Sequence, residues 1–500
     1  MARMANLLFD ALALDRTLAM PIQRQIHELL RSYILSGQLA AGSKLPATRA
    51  LAATLKVGRN TVITAYEQLL SEGYLEARSG SGTWVAEILQ HAPSVAQANT
   101  CVPLTSLSRR GTIIASQPQF GRRPNKINFH PGFPEVDTFP FSTWARLLAH
   151  NARSRADDIL GYFHYAGHWG LREAIAEYVA VARGVNCRPE QVIVVTGAQA
   201  ALDLLARTLL DEGDVAWMEE PGYVGARTAL LAGGARLAPL RVSQSGWALN
   251  APDLPGPRLI YVTPSCQWPL GSVMGLEERL QLLAIAERHN AWIVEDDYDG
   301  EYRFRGRPVS ALQGLDRSNR VIYVGTFGKT LFSSLRLGFM VVPVELSEAF
   351  DRTVGITGHF APLLLQATLA DFIKQGYFAT HLRRMRKLYE RRQERFVGLC
   401  QEHLGRWMSV AANDSGMQLF GRFLMPFDDR EVAAVALTYR VDAQPVSANY
   451  QCDPPQHGLL LGYAGLNDRQ SLAAIGGLRS TFEKLEPALR ESRRRVAEPA

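Results

Sequence analysis

Beyond Ile127, short apolar runs alternate with stretches of helical periodicity: Gln191 to Val195, Val215 to Met218, Leu259 to Val262, Ala291 to Val294 and Arg320 to Val324. Runs without polar alternation suit strands buried on both faces. Strand and helix in alternation suit a mainly parallel sheet with helices over it. In such a sheet ligands bind beyond the carboxyl ends of the strands, so chemistry is to be sought where these runs stop. At 500 residues the chain exceeds what one hydrophobic core supports, and two or three domains are expected.

The residues just past the runs are chemically pointed. After the last run come Thr326, Lys329 and Arg336, within Tyr323 to Met340. An amine, a hydroxyl and a planar guanidinium in that neighbourhood suit pyridoxal 5'-phosphate. Lys329 forms a Schiff base with its aldehyde, and Thr326 and Arg336 take its phosphate. The run ending at Val294 continues into Glu295-Asp296-Asp297-Tyr298, where Asp296 can hold the pyridine nitrogen protonated and Tyr298 can reach the ring oxygen. Thr196-Gly197-Ala198-Gln199 opens a helical stretch whose free N–H groups suit a phosphate, and Tyr223, after Glu219-Glu220-Pro221-Gly222, can lie against the ring. Taken singly these are a glycine turn, a core tyrosine and a solvated acidic loop. Their company with Lys329 favours the cofactor site, and Gln418 stays open between a ligand-facing and a structural role.

The amino-terminal region has a different texture. Ile22, Ile26, Leu29, Leu30, Tyr33 and Ile34 share one helical face that Gly37 ends; Pro46 and Thr48 open a second helix and Asn60 to Leu70 form a third. In a helix-turn-helix the start of the second helix of the pair faces base edges. Here that start is Arg59-Asn60-Thr61, with Arg49 at the other helix start. Arg78 to Val85 reads as a hairpin wing whose Gly80 lets backbone approach phosphate. Small helical domains that bind no DNA share this geometry, so spacing alone leaves both readings open. The formal charge of +6 permits nucleic acid without demanding it. Residues 18–86 form the expected DNA-binding domain, 87–126 lose periodicity and are expected to be a flexible linker, and 127–490 form the body.

Other classes are excluded by composition. Cys101, Cys187, Cys266, Cys400 and Cys452 are scattered without Cys-x-x-Cys spacing, which argues against disulfides and a zinc site. Asp10 interrupts the first apolar run, the amino terminus lacks a signal-peptide layout, and no apolar stretch is long enough to span a bilayer. A cytoplasmic protein without membrane contact or metal is expected.

Leu45-Pro46-Ala47-Thr48-Arg49-Ala50-Leu51-Ala52 and Asn60 to Leu69 resemble the winged helix of GntR-family regulators. The body resembles a fold-type I aminotransferase through Glu220-Pro221-Gly222-Tyr223, Glu295 to Tyr302, Thr326 to Leu331 and Leu335 to Gly338. Together they resemble the MocR subfamily over nearly the whole chain. The resemblance implies a small α+β winged helix-turn-helix followed by a large α/β aminotransferase-like domain. It implies DNA contacts at Arg49, Arg59, Asn60, Thr61 and Gly80. In the body it implies Lys329 as Schiff-base lysine, Asp296 at the pyridine nitrogen, Tyr298 at the ring oxygen and Tyr223 stacked on the ring, with a head-to-tail homodimer. There are departures. Cys266 and Leu270 stand where the family pattern has histidine and threonine, and Gly458 to Ala464 lacks the arginine with which amino-acid aminotransferases clamp a carboxylate. The expected function is a regulator that binds a double-stranded operator and senses pyridoxal phosphate or an amine or amino-acid effector at Lys329, without sustained turnover. The alternative is an active aminotransferase carrying a DNA-binding domain.

Overall fold

The computed structural model describes residues 14–497 except 17, 19, 79, 88–106, 119–125, 155–158, 160, 162–164, 244, 307–309 and 453–454, and backbone alone for 128, 154 and 491–497. The chain divides into two compact units, Met1–Ser106 and Leu107–Ala500.

In the first unit the apolar stripes become three helices, α1 (Ile22–Leu35), α2 (Thr48–Leu55) and α3 (Arg59–Ser71). Gly37 at φ 75° turns the chain out of α1, and Lys56, left-handed at φ 51°, closes α2 before Gly58 starts α3. Ile26, Leu30, Val62 and Leu69 are fully buried in one cluster with Leu51 and Tyr66. Each large aliphatic side chain so buried contributes roughly 1.5–3 kcal/mol. Strands β1 (Leu75–Arg78) and β2 (Gly82–Val85) pair antiparallel as the expected wing, and Gly80 turns between them at φ 72°.

Among the described residues of the segment whose periodicity fades lies a short helix, α4 (Arg109–Ala115), with the Ser108 hydroxyl accepting from the Gly111 amide at 3.0 Å. The body beyond it is built on an eight-stranded sheet of β3 (Val192–Val195), β4 (Val215–Glu220), β5 (Arg236–Ser243), β6 (Gly246–Trp247), β7 (Leu259–Val262), β8 (Trp292–Asp297), β9 (Val321–Thr326) and β10 (Gly338–Val341). Their order is β3-β10-β9-β8-β7-β4-β5-β6. Strands β9, β8, β7, β4 and β5 are mutually parallel, whereas β10 runs antiparallel between β3 and β9. Every residue of β3, β7 and β8 is buried, as strands without polar alternation require.

Each of the five apolar runs overlaps a strand, and the mainly parallel sheet is present. The runs did not disclose β5, β6 and β10. Strand β5 alternates buried and more exposed positions and carries Pro239, so it lacks the signature of a doubly covered strand. At the start of β10, Gly338 lies against the turn between β3 and the helix after it: a Cβ there would sit 2.8 Å from the Gly197 Cα.

A second sheet of β11 (Met408–Val410), β12 (Gln418–Phe423), β13 (Gln444–Pro445) and β14 (Gly458–Gly462) is antiparallel, in the order β11-β12-β14-β13. Among the described residues no helix is long and apolar enough to cross a membrane, and no group of three or more His, Cys, Asp or Glu residues is placed to hold a metal ion.

Candidate cofactor site and DNA-binding surface

Parallel strands end on one edge of the sheet, and there the chain opens a cavity of about 660 Å³. Gly197, Ala198, Gln199, Tyr223, Asp296, Tyr298, Thr326, Lys329 and Arg336, far apart in sequence, all line it. Every cofactor-binding residue expected from the sequence is therefore on one wall or another of a single space.

Each side chain has a local reason for its place. Helix α5 (Ala198–Leu209) starts directly after β3, with Gly197 at φ 110° and no side-chain cap, so its first amides keep no capping partner. Arg336 lies in the left-handed region at φ 51°, a conformation that costs a non-glycine residue of order 1 kcal/mol or more. A Cβ on Gly197 would lie 3.9 Å from the Arg336 guanidinium carbon, so guanidinium and helix start face one another. Thr326, at the end of β9, accepts from the Gly328 amide at 3.2 Å, which orients its hydroxyl beside them.

Across the cavity, Asp296 is 4% exposed near the end of β8. Its Oδ2 accepts from the Tyr261 hydroxyl at 2.8 Å, while its Oδ1 is buried without a hydrogen-bond partner. Burial pushes the carboxyl up to about 6, against the Tyr261 hydrogen bond and the Lys329 charge, which pull it down. The Lys329 ammonium lies 4.1 Å from the Tyr298 ring centroid and 5.5 Å from that of Trp268. A Cβ on Gly132 would come within 2.8 Å of Lys329 Cε and 2.9 Å of Nζ, so glycine there leaves room for the lysine. Tyr223 immediately precedes α6 (Val224–Ala232), and its hydroxyl donates to Gln199 Oε1 at 3.4 Å. Burial raises that phenol to about 12.

These residues fit pyridoxal phosphate on the chemistry of the donor set. The unpartnered Asp296 oxygen suits a protonated ring nitrogen. Arg336, Thr326 and the α5 amides suit a phosphate, and the Lys329 amine suits an aldehyde. When bound, the group would supply an electrophilic carbon and an electron-withdrawing ring.

Sequence reasoning missed several lining residues. Tyr261 orients Asp296, but a tyrosine inside a fully buried strand carries no separate signal. Trp268 borders Lys329 and its indole donates to Asn449 at 2.9 Å. Only its place beside the departing Cys266 marked it. Ser333, Gln444 and Gly132 also reach the cavity. Gln418 is buried and donates to the Tyr298 hydroxyl at 3.3 Å, acting behind the ring rather than on the cavity wall. In the segment without the carboxylate-clamping arginine, Leu460 of β14 is fully buried in a cluster with Cys266, Trp268, Tyr298 and Val446.

In the first unit Arg49 is exposed at the start of α2, Arg59 and Asn60 are exposed in the first turn of α3, Thr61 is half-buried beside them and Gly80 is exposed at the wing tip. The α3 amino terminus has Gly58 as its cap residue and no side-chain cap, leaving amides for an anion. In the wing the Arg78 guanidinium lies 4.9 Å from the Trp84 ring centroid and the Lys44 ammonium 5.5 Å from it.

The family model described as Bacterial regulatory proteins, gntR family, matches residues 22–85, and that described as Aminotransferase class I and II matches residues 124–451. A protein of Rhizobium meliloti named probable rhizopine catabolism regulatory protein MocR is 56% identical over 475 residues, covering 95% of this chain and 96% of its own. The pyridoxine biosynthesis transcriptional regulator PdxR of Corynebacterium glutamicum is 31% identical, covering 77% of this chain and 79% of its own. Among solved structures, the α-aminoadipate aminotransferase LysN of Thermus thermophilus, complexed with N-(5'-phosphopyridoxyl)-L-leucine, is 26% identical. It superposes at a TM-score of 0.67 over 73% of this chain and 94% of its own. Winged helix, aminotransferase-like body and full-length relatives agree: the chain belongs to the MocR subfamily of gntR-type transcriptional regulators, DNA-binding proteins with an aminotransferase-like domain.

Proposed function

We propose that the body of this regulator binds pyridoxal phosphate at Lys329 and senses a small amine by its reaction there, changing the affinity of the winged helix for its operator. The observation that carries this reading is the convergence on one cavity of the Lys329 amine, the unpartnered buried oxygen of Asp296 and the exposed Arg336. Arg336, Thr326 and the α5 amides would hold the phosphate, Asp296 would hold a proton at the ring nitrogen, Tyr223 would lie against the ring and Tyr298 would reach its oxygen. Lys329 would hold the cofactor through its amine, and a free Lys329 amine would change the charge of the site. A ligand shifts DNA affinity only by binding one conformer better than another, and such couplings are typically about 1–3 kcal/mol.

In the head, Arg49, Arg59, Asn60, Thr61 and Gly80 make the DNA contacts, and two copies of the chain act as a head-to-tail homodimer. Rhizopine is the first compound to try, because the 56% identical relative is named for its catabolism. The lack of an arginine from Gly458 to Ala464 favours an amine held without a carboxylate clamp, and so favours sensing over transamination of amino acids.

The test is a fluorescence-anisotropy titration of operator DNA with the cofactor-loaded protein, with and without rhizopine and other amines, in parallel with its visible spectrum. Wild type is expected to change spectrum and operator Kd together, and Lys329→Ala to lose both responses. An operator response undiminished in Lys329→Ala overturns the reading. Sustained keto product with a keto-acid acceptor makes the body an aminotransferase instead.

A further inference from the structure

Helix α4 buries none of its residues, yet Ile114 and, just beyond its end, Gln117 and Pro118 line the same cavity as Lys329, Asp296 and Tyr223. It packs on α6, whose preceding residue is Tyr223. It also forms an Arg110–Glu212 ion pair at 3.2 Å whose side chains are 57% and 82% exposed, a kind of contact that stabilises little. A helix of seven residues is not stable by itself. Ile113 is only half-buried and Ile114 remains 44% exposed, so α4 has little core to hold it. Elements with few buried apolar contacts open at the low end of the local stability range. The occupant of the cavity beside Ile114, Gln117 and Pro118 therefore weighs heavily on whether α4 stays formed. Residue 107 begins the body, and the chain continues from α4 backward to the DNA-binding unit.

We propose that α4 is the reporter of this cavity: an amine joined to the cofactor touches Ile114, Gln117 and Pro118 with its outer end, stabilises α4, and so changes the tether that leads to the DNA-binding head. This rests on the cofactor reading above and adds the element that carries its signal. It also makes Ile114 and Gln117 determinants of effector choice, since one offers an apolar surface and the other an amide to the part of the amine that projects from the ring.

The experiment is hydrogen exchange followed by mass spectrometry on the full-length protein in three states: cofactor-free, loaded with pyridoxal phosphate, and loaded with the phosphopyridoxyl adduct of butylamine. Amides of residues 111–117 are expected to exchange at least fivefold more slowly with the adduct than with pyridoxal phosphate alone, with those of α3 unchanged. Equal exchange in those two states overturns the proposal. A second measurement uses Ile113→Pro, which breaks α4 at a residue outside the cavity lining, with Ile113→Ala as control. The proline variant is expected to keep the cofactor's visible absorbance and lose the adduct-dependent change in operator Kd. An undiminished change in a variant that binds cofactor normally overturns the proposal while leaving the Lys329 reading intact. If the variant fails to retain cofactor, the exchange result decides. Loss of the operator response in wild type would instead count against the sensing function itself.

Discussion

At the scale of single residues, the body spends stability on its site. Asp296 is a carboxyl taken out of water with one oxygen unpartnered, and burial raises it to about 6 from an ordinary 3.8. Below the ordinary value both folded and unfolded chains are protonated, and the group has no effect. Between about 3.8 and about 6 the unfolded chain ionises first, so the cofactor-free protein loses stability as pH rises through that window. The loss is about 3 kcal/mol at most. Urea midpoints of the cofactor-free protein at several pH values are expected to fall across this window, with the buried Glu219, Glu295 and Glu301 carboxyls, raised to about 7, adding to the slope, and Asp296→Asn is expected to make it shallower. A variant with the wild-type slope would contradict the assignment. Asp296 was legible in the sequence because an acidic cluster directly followed an apolar run. Tyr261 was not, because it is apolar in pattern and polar only at its tip, and no local feature reveals that this tip meets a carboxylate 35 residues away.

At the scale of elements, the head presents its proposed recognition groups mainly at one helix start. Arg59 and Asn60 are exposed in the first turn of α3, while Val62, Ala65, Tyr66 and Leu69 bury the other face. Arg59→Ala therefore removes the proposed DNA contact without touching the core. Its circular dichroism should match wild type. If Arg59 meets phosphate, the slope of log operator affinity against log salt should fall by about 1. An unchanged slope with unchanged affinity would remove Arg59 from the interface. The three helices and the wing were readable because each apolar stripe has its own period and each ends at a glycine or polar break. In the body the same reasoning found strands whose faces are both buried but not β5, whose alternation is that of a partly exposed strand. Helix α4 escaped detection because it has no apolar stripe to read; it buries none of its residues.

At the scale of the whole molecule, head and body have separate cores. The head cluster around Ile26, Leu30, Val62 and Leu69 draws on residues 14–85 alone. The two units should therefore unfold in two calorimetric transitions. Pyridoxal phosphate at a hundredfold excess over its Kd should stabilise only the body, by about 2.7 kcal/mol. A single transition that moves as one would show coupled folding instead. The sequence by itself determined the two-part organisation, the winged helix, the parallel strands and the identity of Lys329, Asp296, Tyr223, Thr326 and Arg336. Period, breaker residues and the chemistry of the residues just past a buried run are local properties. Only the tertiary structure decided that these residues share one cavity, that Tyr261, Trp268 and Gly132 complete it, and that a short helix at the start of the body forms part of its wall. Those relations join residues separated by up to hundreds of positions, and they depend on sheet order, on close backbone approach at glycines and on which polar atoms burial leaves without a partner.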